Sequence, residues 1–272
     1  MPEHSAFEKD RADTKLLVES LREAGAIARK YFRGDFASWN KSRGDPVTEA
    51  DIAIDQNLHR ALLSARPDYG WLSEETEDDP ARLDRERVFI VDPIDGTRGF
   101  LKGRPHFTIV AAVVQENRPV SAAIYNPITE EMYDAARGGG ARLNGNPIRV
   151  SETDTLEGSR ILAPQVYFET ARWDDPWPNS MQTETRSSIA YRLALVAEGR
   201  FDAILSLTAK NDWDLAAGDL LLHEAGGCVT APGGESLFYN KPQPLQQGAL
   251  GAGKTLHTIL KQRLREQLNE TS

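Results

Sequence analysis

The sequence predicts a mixed α/β protein with an α+β first half and an α/β second half. Two helix patterns and then a series of strand-forming runs occupy the first half, whereas short strands alternate with helices in the second. A polar stretch, residues 150–158, separates the two patterns. We therefore expect two units, an N-terminal unit of residues 1–150 and a C-terminal unit of residues 151–272.

The first half begins with two amphipathic helices. Apolar residues recur at three- and four-residue spacing from Asp13 to Phe32 and again from Thr48 to Leu63, with Thr48 as a candidate N-cap. Turn-forming residues bound the strands that follow, and Asp92-Pro93 ends one of them. The predicted strands are Gly70–Ser73, Arg87–Val91, Thr108–Val114, Val120–Tyr125 and Met132–Ala135.

Glycines mark the ends of two predicted helices in the second half. Gly199 follows one helix and Gly226-Gly227 follows another, as expected of C-terminal caps. The segment Trp173–Asn179, rich in Pro and Trp, is predicted to be a loop without an assigned role. The predicted elements are strands at Arg160–Ala163 and Phe201–Leu207 and helices at Ser188–Ala197, Asp214–Ala225 and Leu256–Leu268.

Composition excludes several classes of protein. Hydrophobic residues make up 40% of the chain and charged residues 27%, which is enough to bury a core and excludes a disordered or collagen-like chain. The 41 acidic residues outnumber the 32 basic ones, so the net charge is −9. A negatively charged protein repels a phosphate backbone, and we expect no nucleic acid partner.

The cysteine content and the hydropathy predict a compartment. A single cysteine, Cys228, can form neither an internal disulfide nor a thiolate zinc site, which favours a reducing, cytoplasmic environment. No run approaches the roughly 20 apolar residues that span a bilayer, and the first residues lack the apolar segment of a signal peptide. We expect a soluble protein without a membrane partner.

The most informative stretch is an apolar strand that delivers two carboxylates. Asp92 follows the apolar run Val88–Val91, and Asp95 lies three residues further on, with Pro93 stiffening the chain between them. Both side chains and the Ile94 carbonyl would then face one point. Oxygen ligands of this kind suit Mg²⁺ or Mn²⁺, which keep waters and leave positions open for phosphate oxygens.

The next residues predict an anion site. Gly96 permits a tight turn, and Gly96 and Thr97 would begin a helix or nest whose N–H groups point at an anion. The alternative is that Asp92 and Asp95 only cap a turn, because Asp-Pro and Asp-Gly pairs are common turn sequences. Further carboxylates elsewhere in the chain favour the metal site.

Each of these further carboxylates also has an ordinary structural interpretation. Asp51 is either a site residue or a first-turn helix charge, and Asp214 either a site residue or a helix N-cap. Glu74 and Glu75 end a strand and continue into an acidic stretch that would be solvated. Their arrangement along the chain decides between these alternatives.

The carboxylates lie in four motifs: Asp45–Asp51 (DPVTEAD), Leu72–Glu75 (LSEE), Val91–Thr97 (VDPIDGT), and Trp213–Asp219 (WDLAAGD) with Glu224–Gly227 (EAGG). In order and spacing, from about residue 15 to the last helix, these motifs resemble the inositol monophosphatase superfamily. The resemblance implies an αβαβα layered sandwich, Mg²⁺ dependence, lithium sensitivity and commonly a homodimer.

The resemblance also implies metal ligands. Glu74, Asp92 and the Ile94 carbonyl would hold a first ion, and Asp92, Asp95 and Asp214 a second. Two or three Mg²⁺ ions are expected, with Mn²⁺ as an alternative. So many clustered carboxylates would repel one another without cations, so the site should be loose when metal is absent.

The implied reaction is hydrolysis of a phosphate ester by metal-activated water. Thr97 and Asp51 would position and deprotonate the attacking water with help from Glu74. The Gly96 and Thr97 amides would bind the phosphate, beside Asp95 and Asp214.

The substrate is harder to predict. Family members that hydrolyse inositol monophosphate carry an acidic residue where this chain has Leu207, and leucine cannot hydrogen-bond a polyol. Arg98 matches the basic residue of 3'(2'),5'-bisphosphate nucleotidases, whereas Gly99 departs from their pattern. Arg98 and Lys210 would meet a second phosphate, although both are equally compatible with ordinary surface charge.

We therefore expect a bisphosphate nucleotidase. An inositol-1-monophosphatase and a histidinol-phosphatase remain alternatives, and a metal-responsive binding or regulatory protein on the same fold is the non-enzymatic one. One further motif is rejected. Gly248–Thr255 matches the phosphate-loop pattern, but prolines precede it and too few residues follow to complete a nucleotide-hydrolase core.

Overall fold

The computed structural model describes residues 2–42, 45–169 and 176–270. Its helices are α1 (Pro2–Tyr31), α2 (Glu49–Ala65), α3 (Thr97–Leu101), α4 (Val166–Glu169), α5 (Ile189–Ala197), α6 (Asp212–Glu224) and α7 (Lys254–Glu270). Its first nine strands are β1 (Ser38–Ser42), β2 (Asp45–Thr48), β3 (Gly70–Ser73), β4 (Arg87–Asp95), β5 (Thr108–Gln115), β6 (Arg118–Asn126), β7 (Glu131–Ala136), β8 (Ala141–Leu143) and β9 (Asn146–Pro147). The others are β10 (Arg160–Leu162), β11 (Gln182–Glu184), β12 (Ala203–Ser206), β13 (Lys210–Asn211), β14 (Gly227–Thr230), β15 (Leu245–Gln246) and β16 (Ala249–Gly253).

Two large sheets organise the molecule. The first has seven strands in the order β3-β4-β5-β6-β7-β8-β9, antiparallel except for the parallel pair β3 and β4. The second has five strands in the order β11-β10-β12-β16-β14, in which β10 runs parallel to both of its neighbours. Strands β1 and β2 form a separate hairpin, and β13 pairs with β15.

Helices cover both sheets and complete five layers. Helices α1 and α2 pack on one face of the seven-stranded sheet, α5 and α6 lie between the two sheets, and α7 covers the far face of the second sheet. Successive side chains of β4 point to opposite faces of the sheet and fill both cores. Val88 and Ile90 contact the core around α5 and α6, whereas Phe89 and Val91 contact the core around α1 and α2. The expected αβαβα sandwich is confirmed.

The middle layer joins the two halves of the chain. Helix α6 comes from the second half but packs against β4, β5 and β6 of the first sheet. A Cβ at Gly218 would lie 2.4 Å from Leu193, so glycine permits the close approach of α6 to α5. The assignment of residues 1–150 and 151–272 to separate units remains a prediction.

Helix α1 is longer than the apolar pattern predicted, beginning at Pro2 instead of Asp13. Two acidic side chains of α1, Asp10 and Asp13, are fully buried against the sheet. Arg87 of β4 donates from Nη2 to Asp10 (2.6 Å) and from Nη1 to Asp13 (2.7 Å). A search for apolar periodicity cannot detect a helix face that is buried through ion pairs.

Strand β4 also continues past its predicted end at Val91. Asp92 pairs with Val110 and Asp95 with Thr108, and the register shifts between these pairs. Pro93 has no N–H to contribute to the ladder, and the shift has the character of a β-bulge. The strand therefore bends without ending, and both aspartates lie at its C-terminal end.

Two further expectations concern loops. The loop predicted at Trp173–Asn179 lies partly outside the described residues, which resume at residue 176. Of the residues that match the phosphate-loop pattern, Ala249–Gly253 form β16, which pairs with β12 and β14, and α7 begins directly at Lys254. Among the described helices, none combines the length and the apolar character needed to cross a bilayer.

We expect Arg87→Met to lower the free energy of unfolding by about 1.5–3 kcal/mol, because Asp10 and Asp13 lose the cation they share and each keeps an ion pair with only one, more exposed arginine. Urea denaturation followed by circular dichroism measures this. Glu19→Gln removes the exposed pair between Lys15 and Glu19 and should change the value by less than about 0.5 kcal/mol. A loss below about 1 kcal/mol for Arg87→Met would show that the buried cluster does not hold α1.

Candidate active site

One cavity collects the ends of several elements from both halves. It lies where β3 and β4 end and where α3, α5 and α6 begin, and its volume is about 350 Å³. Its walls are more polar than apolar, as expected of a site for a charged ligand. The lining residues are Pro46, Glu74, Asp92, Ile94, Asp95, Gly96, Thr97, Arg98, Ser187, Arg192 and Asp214.

Three carboxylates meet inside this cavity. Asp92, Asp95 and Asp214 each place one carboxylate oxygen so that all three oxygens lie within 4.8 Å of one another. Asp92 and Asp95 come from the bulged end of β4, and Asp214 comes from the first turn of α6. Residues more than a hundred positions apart in sequence thus form one cluster.

The electrostatics of the cluster favour a cation. Burial and repulsion from Glu74, Asp95 and Asp214 raise the pKa of Asp92 well above its usual range. Burial, together with repulsion from Asp95, raises the pKa of Asp214 to about 8. Asp92 Oδ1 is buried and accepts no hydrogen bond from the described residues. An unpartnered carboxylate oxygen beside two others fits a hard divalent cation such as Mg²⁺.

Asp95 is fixed by the N-terminus of α5. Its Oδ2 accepts hydrogen bonds from Ser188 Oγ and from the Ala190 N–H, both at 2.6 Å, and its Oδ1 accepts from the Ile189 N–H at 3.2 Å. Burial raises the pKa of Asp95 to about 6, although these bonds act in the opposite direction. Strand β4 and helix α5 are therefore joined at the carboxylate itself.

Asp214 and Asp51 occupy the same position in two helices. Each is the third residue of its helix and accepts from the backbone N–H of the N-cap, Asn211 in α6 (2.7 Å) and Thr48 in α2 (2.8 Å). The interpretation of Asp51 as a first-turn helix charge is thus correct as a description of local structure, whereas Asp214 is not the N-cap of α6, because Asn211 is. Neither position conflicts with a role in the cavity, because each carboxylate has a second oxygen.

Thr97 connects Asp51 to the cavity wall. Its hydroxyl lies 3.0 Å from the Ile94 carbonyl and 3.3 Å from Asp51 Oδ1. The other oxygen of Asp51 is held by Thr48, through the backbone N–H and the hydroxyl. Burial raises the pKa of Asp51 to about 6. Asp51 lies behind Thr97, since the cavity is lined by Thr97 and not by Asp51.

Glu74 lies in the cavity wall but outside the three-carboxylate cluster. Its Oε1 is 3.4 Å from Nζ of Lys41, which reaches over from the β1–β2 hairpin and also contacts Glu75 Oε1 at 2.6 Å. The cavity therefore has a fourth carboxylate that faces both the aspartates and a lysine.

The cations predicted for substrate binding are placed differently from one another. Arg98 lines the cavity, whereas Lys210 does not, because its ammonium group donates to Thr208 Oγ1 at 2.8 Å. Leu207 is partly exposed beside the end of β12 and is also outside the lining. A Cβ at Gly99 would lie 2.5 Å from Ser187 Oγ, so a glycine is needed where α3 packs against residue 187.

Arg192 is a lining residue that the sequence reasoning missed. Its Nε donates to the Arg186 carbonyl at 2.7 Å, and among the described residues no carboxylate oxygen lies within 4.0 Å of its guanidinium group. It is the only charged residue of α5, whose other residues are alanine, tyrosine or aliphatic. A lone arginine in an apolar helix is the signal that could have identified it. Ser187 and Pro46 gave no such signal.

Comparison with known proteins decides the family. The model of the inositol monophosphatase family matches residues 10–270. The chain belongs to the inositol monophosphatase family. It is accordingly a phosphoric monoester hydrolase, as the motifs around Asp92 and Asp214 predicted.

Two relatives illustrate the range of this family. An inositol-1-monophosphatase of Rhizobium meliloti is 35% identical over 250 residues, which cover 88% of this chain and 90% of the relative. A protein of Haemophilus influenzae named Nus factor SuhB is 34% identical over 224 residues, which cover 79% of this chain and 83% of the relative. Overall identity therefore does not distinguish between these two kinds of relative.

Solved structures of the family have the same fold. The extragenic suppressor protein suhB from Bartonella henselae superposes with a TM-score of 0.81 at 29% identity, covering 94% of this chain and 99% of the other. The IMPase of Thermotoga maritima superposes with a TM-score of 0.80 at 28% identity, and the match covers 97% of this chain and 100% of the other. The five-layer arrangement around the cavity is thus that of the family.

In metal-free protein we expect stability to fall as the pH rises from about 5 to about 8. The pKa values of Asp92 and Asp214 are higher in the folded chain than their ordinary value of 3.8, so the folded state holds more protons than the unfolded state in this range. Urea denaturation in the presence of a chelator measures the effect.

Asp92→Asn serves as the comparison, because other titrating groups are the same in both proteins. The variant should lose less stability than the wild type over this pH range, since one repelling charge is absent. Equal slopes for the two proteins would mean that Asp92 does not remain protonated in the folded state.

Proposed function

We propose that the protein is a Mg²⁺-dependent phosphomonoesterase for a small substrate with a second phosphate, of the 3'(2'),5'-bisphosphate nucleotide class. The observation that carries the metal dependence is the buried, unpartnered Oδ1 of Asp92 beside the oxygens of Asp95 and Asp214. The observation that carries the substrate class is the pair of arginines, Arg98 and Arg192, in the same cavity.

Four carboxylates and one carbonyl would hold the cations. The set is Glu74, Asp92, Ile94, Asp95 and Asp214, and two or three Mg²⁺ or Mn²⁺ ions would offset its charge. Bound cations would activate a water molecule and neutralise charge on the transferring and leaving oxygens of the phosphate. Oxygen-only ligands favour Mg²⁺ and Mn²⁺ over metals that prefer nitrogen or sulfur.

The chain itself would orient the water and receive its proton. Thr97 Oγ1 would accept a hydrogen bond from the attacking water and donate its own hydrogen to Asp51 Oδ1, which lies 3.3 Å away. Asp51 has a pKa of about 6 and is therefore mostly ionised, yet basic enough to accept a proton, at neutral pH. Glu74 would assist from the cavity wall. The Gly96 and Thr97 amides would bind the phosphate.

Arg98 and Arg192 favour a substrate with more than one anionic group. Negative charge on the phosphate to be cleaved would be matched by the metal ions, which leaves the arginines for another anion. Arg192 is positively charged at every relevant pH, even though burial lowers its pKa, and is anchored by Arg186. Lys210 would approach such an anion only by leaving Thr208.

Inositol monophosphate is the second candidate substrate. Similarity to the Rhizobium meliloti inositol-1-monophosphatase favours it, and Leu207, which offers no hydrogen bond to a sugar hydroxyl, disfavours it. Histidinol phosphate is the remaining alternative substrate, and a regulatory role by binding would come in addition to catalysis. The proposal also includes lithium sensitivity and a cytoplasmic homodimer that binds neither membranes nor nucleic acid, the latter on account of its net charge of −9.

Asp92→Asn should reduce turnover by several orders of magnitude, because Asp92 lies at the centre of the proposed ligand set. Phosphate release measured colorimetrically, with and without Mg²⁺, tests this. Glu19→Gln is the matched control on an exposed helix face and should retain full activity.

Two outcomes would contradict the proposed metal dependence. One is an Asp92→Asn variant with near-normal turnover. The other is wild-type protein that releases phosphate equally well in a chelator. Absence of turnover on nucleotide, inositol and sugar phosphates would instead favour a role by binding.

Arg192→Met should lower kcat/KM for adenosine 3',5'-bisphosphate by about 10- to 100-fold, because a charged hydrogen bond to a phosphate contributes about 1.5–3 kcal/mol. The effect on inositol 1-phosphate should be much smaller. Lys102→Met removes an exposed cation that does not line the cavity and should change neither value. An equal loss on both substrates would contradict the assignment of Arg192 to a second phosphate.

A further inference from the structure

We propose that Asp55 is a positioning residue that holds the turn carrying Glu74 in place for divalent-cation binding. The inference rests on the proposed metal dependence and extends it to a residue outside the cavity. Asp55 does not line the cavity and belongs to none of the motifs of the sequence analysis.

The contacts of Asp55 enclose the turn from both sides. Its Oδ1 accepts a hydrogen bond from Ser73 Oγ at 2.5 Å, and its Oδ2 accepts from Thr76 Oγ1 at 2.6 Å. The two hydroxyls flank Glu74 and Glu75 directly in sequence. One buried carboxylate thus fixes the residue before the glutamate pair and the residue after it.

The position of β3 in the sheet explains why such a clamp is needed. Strand β3 is the edge strand of the seven-stranded sheet and pairs only with β4. Beyond Ser73, the backbone bond to β4 runs from the Glu74 N–H to the Val91 carbonyl at a long 3.3 Å. From helix α2, which covers one face of this sheet, the carboxylate of Asp55 adds two side-chain hydrogen bonds to the turn.

Helix α2 therefore supports the cavity at two points. Asp51 and Asp55 are four residues apart and lie on the same face of the helix. Asp51 contacts Thr97, and Asp55 contacts the turn of Glu74. The first residue touches the proposed proton route, whereas the second acts through the backbone of its neighbours.

Glu74 is the carboxylate most sensitive to this support. The cluster of Asp92, Asp95 and Asp214 is formed by β4 and α6, which are central elements, whereas Glu74 reaches it from an edge strand and lies outside the cluster. A looser turn would leave the aspartates in place but reduce the time that Glu74 spends near the cation. Loss of cation affinity with little loss of maximal turnover is the expected signature.

The test is titration of the full chain with Mg²⁺ alone, measured by isothermal titration calorimetry. Asp55→Ala should raise the half-saturating Mg²⁺ concentration about tenfold, as outer-shell changes commonly do, while kcat at saturating Mg²⁺ stays within about threefold of wild type. Asp55→Asn retains an acceptor and should recover part of the affinity.

Two further variants separate positioning from general destabilisation. Leu62→Ala creates a cavity at a fully buried position near the end of the same helix and should destabilise the protein without changing Mg²⁺ affinity. Thr76→Val removes one of the two hydroxyl contacts and should weaken binding by less than Asp55→Ala. Combined with Ser73→Ala and Thr76→Val, Asp55→Ala should add no further loss of affinity.

The outcomes distinguish this inference from the proposed function. If wild-type protein does not bind Mg²⁺, the metal dependence fails and the inference fails with it. If wild type binds Mg²⁺ but Asp55→Ala binds it equally well, or Leu62→Ala weakens binding as much, only the role of Asp55 is overturned. Should Asp55→Ala not fold, Thr76→Val with an unchanged half-saturating concentration would overturn it.

Discussion

The cost of placing three carboxylates within one buried space is the constraint on which the rest of the structure depends. Asp92, Asp95 and Asp214 repel one another and lose hydration, and the raised pKa values express both effects. Such a cluster persists only where rigid elements hold each member. The bulge of β4, the N-terminus of α5 and the first turn of α6 provide this, at a point where the seven-stranded sheet meets the helices of the central layer.

Local patterns in the sequence were sufficient to predict the fold class and the parts of the cavity that lie in motifs. The apolar run before Asp92, the N-cap at Thr48 and the glycines after α6 each report a local preference that packing leaves unchanged. Recognition of four motifs in register then supplied the five-layer architecture, which no local pattern contains. The roles of the individual site residues remain predictions.

Other features depend on contacts that no local pattern encodes. Asp10 and Asp13 of α1 are buried because Arg87 lies opposite them, and these ion pairs are visible only once helix and sheet are assembled. The same holds for Arg192 and Asp55, because the residues beside which they lie in the fold are distant in sequence: Arg192 shares the cavity with Asp92, and Asp55 contacts Thr76. Lys210 shows the converse, because proximity to Asp214 in sequence did not bring its ammonium group into the cavity wall.

The central layer of α5 and α6 has a consequence for how this architecture could be altered. Both helices contribute to the cavity at their N-termini and are covered by a sheet on either side. The two halves of the chain therefore share this layer: separating them would expose an apolar surface on each and divide the acidic cluster at the same time. Substitutions and insertions in this enzyme should therefore accumulate in peripheral loops. An exchange of whole segments between relatives would require both halves to be replaced together.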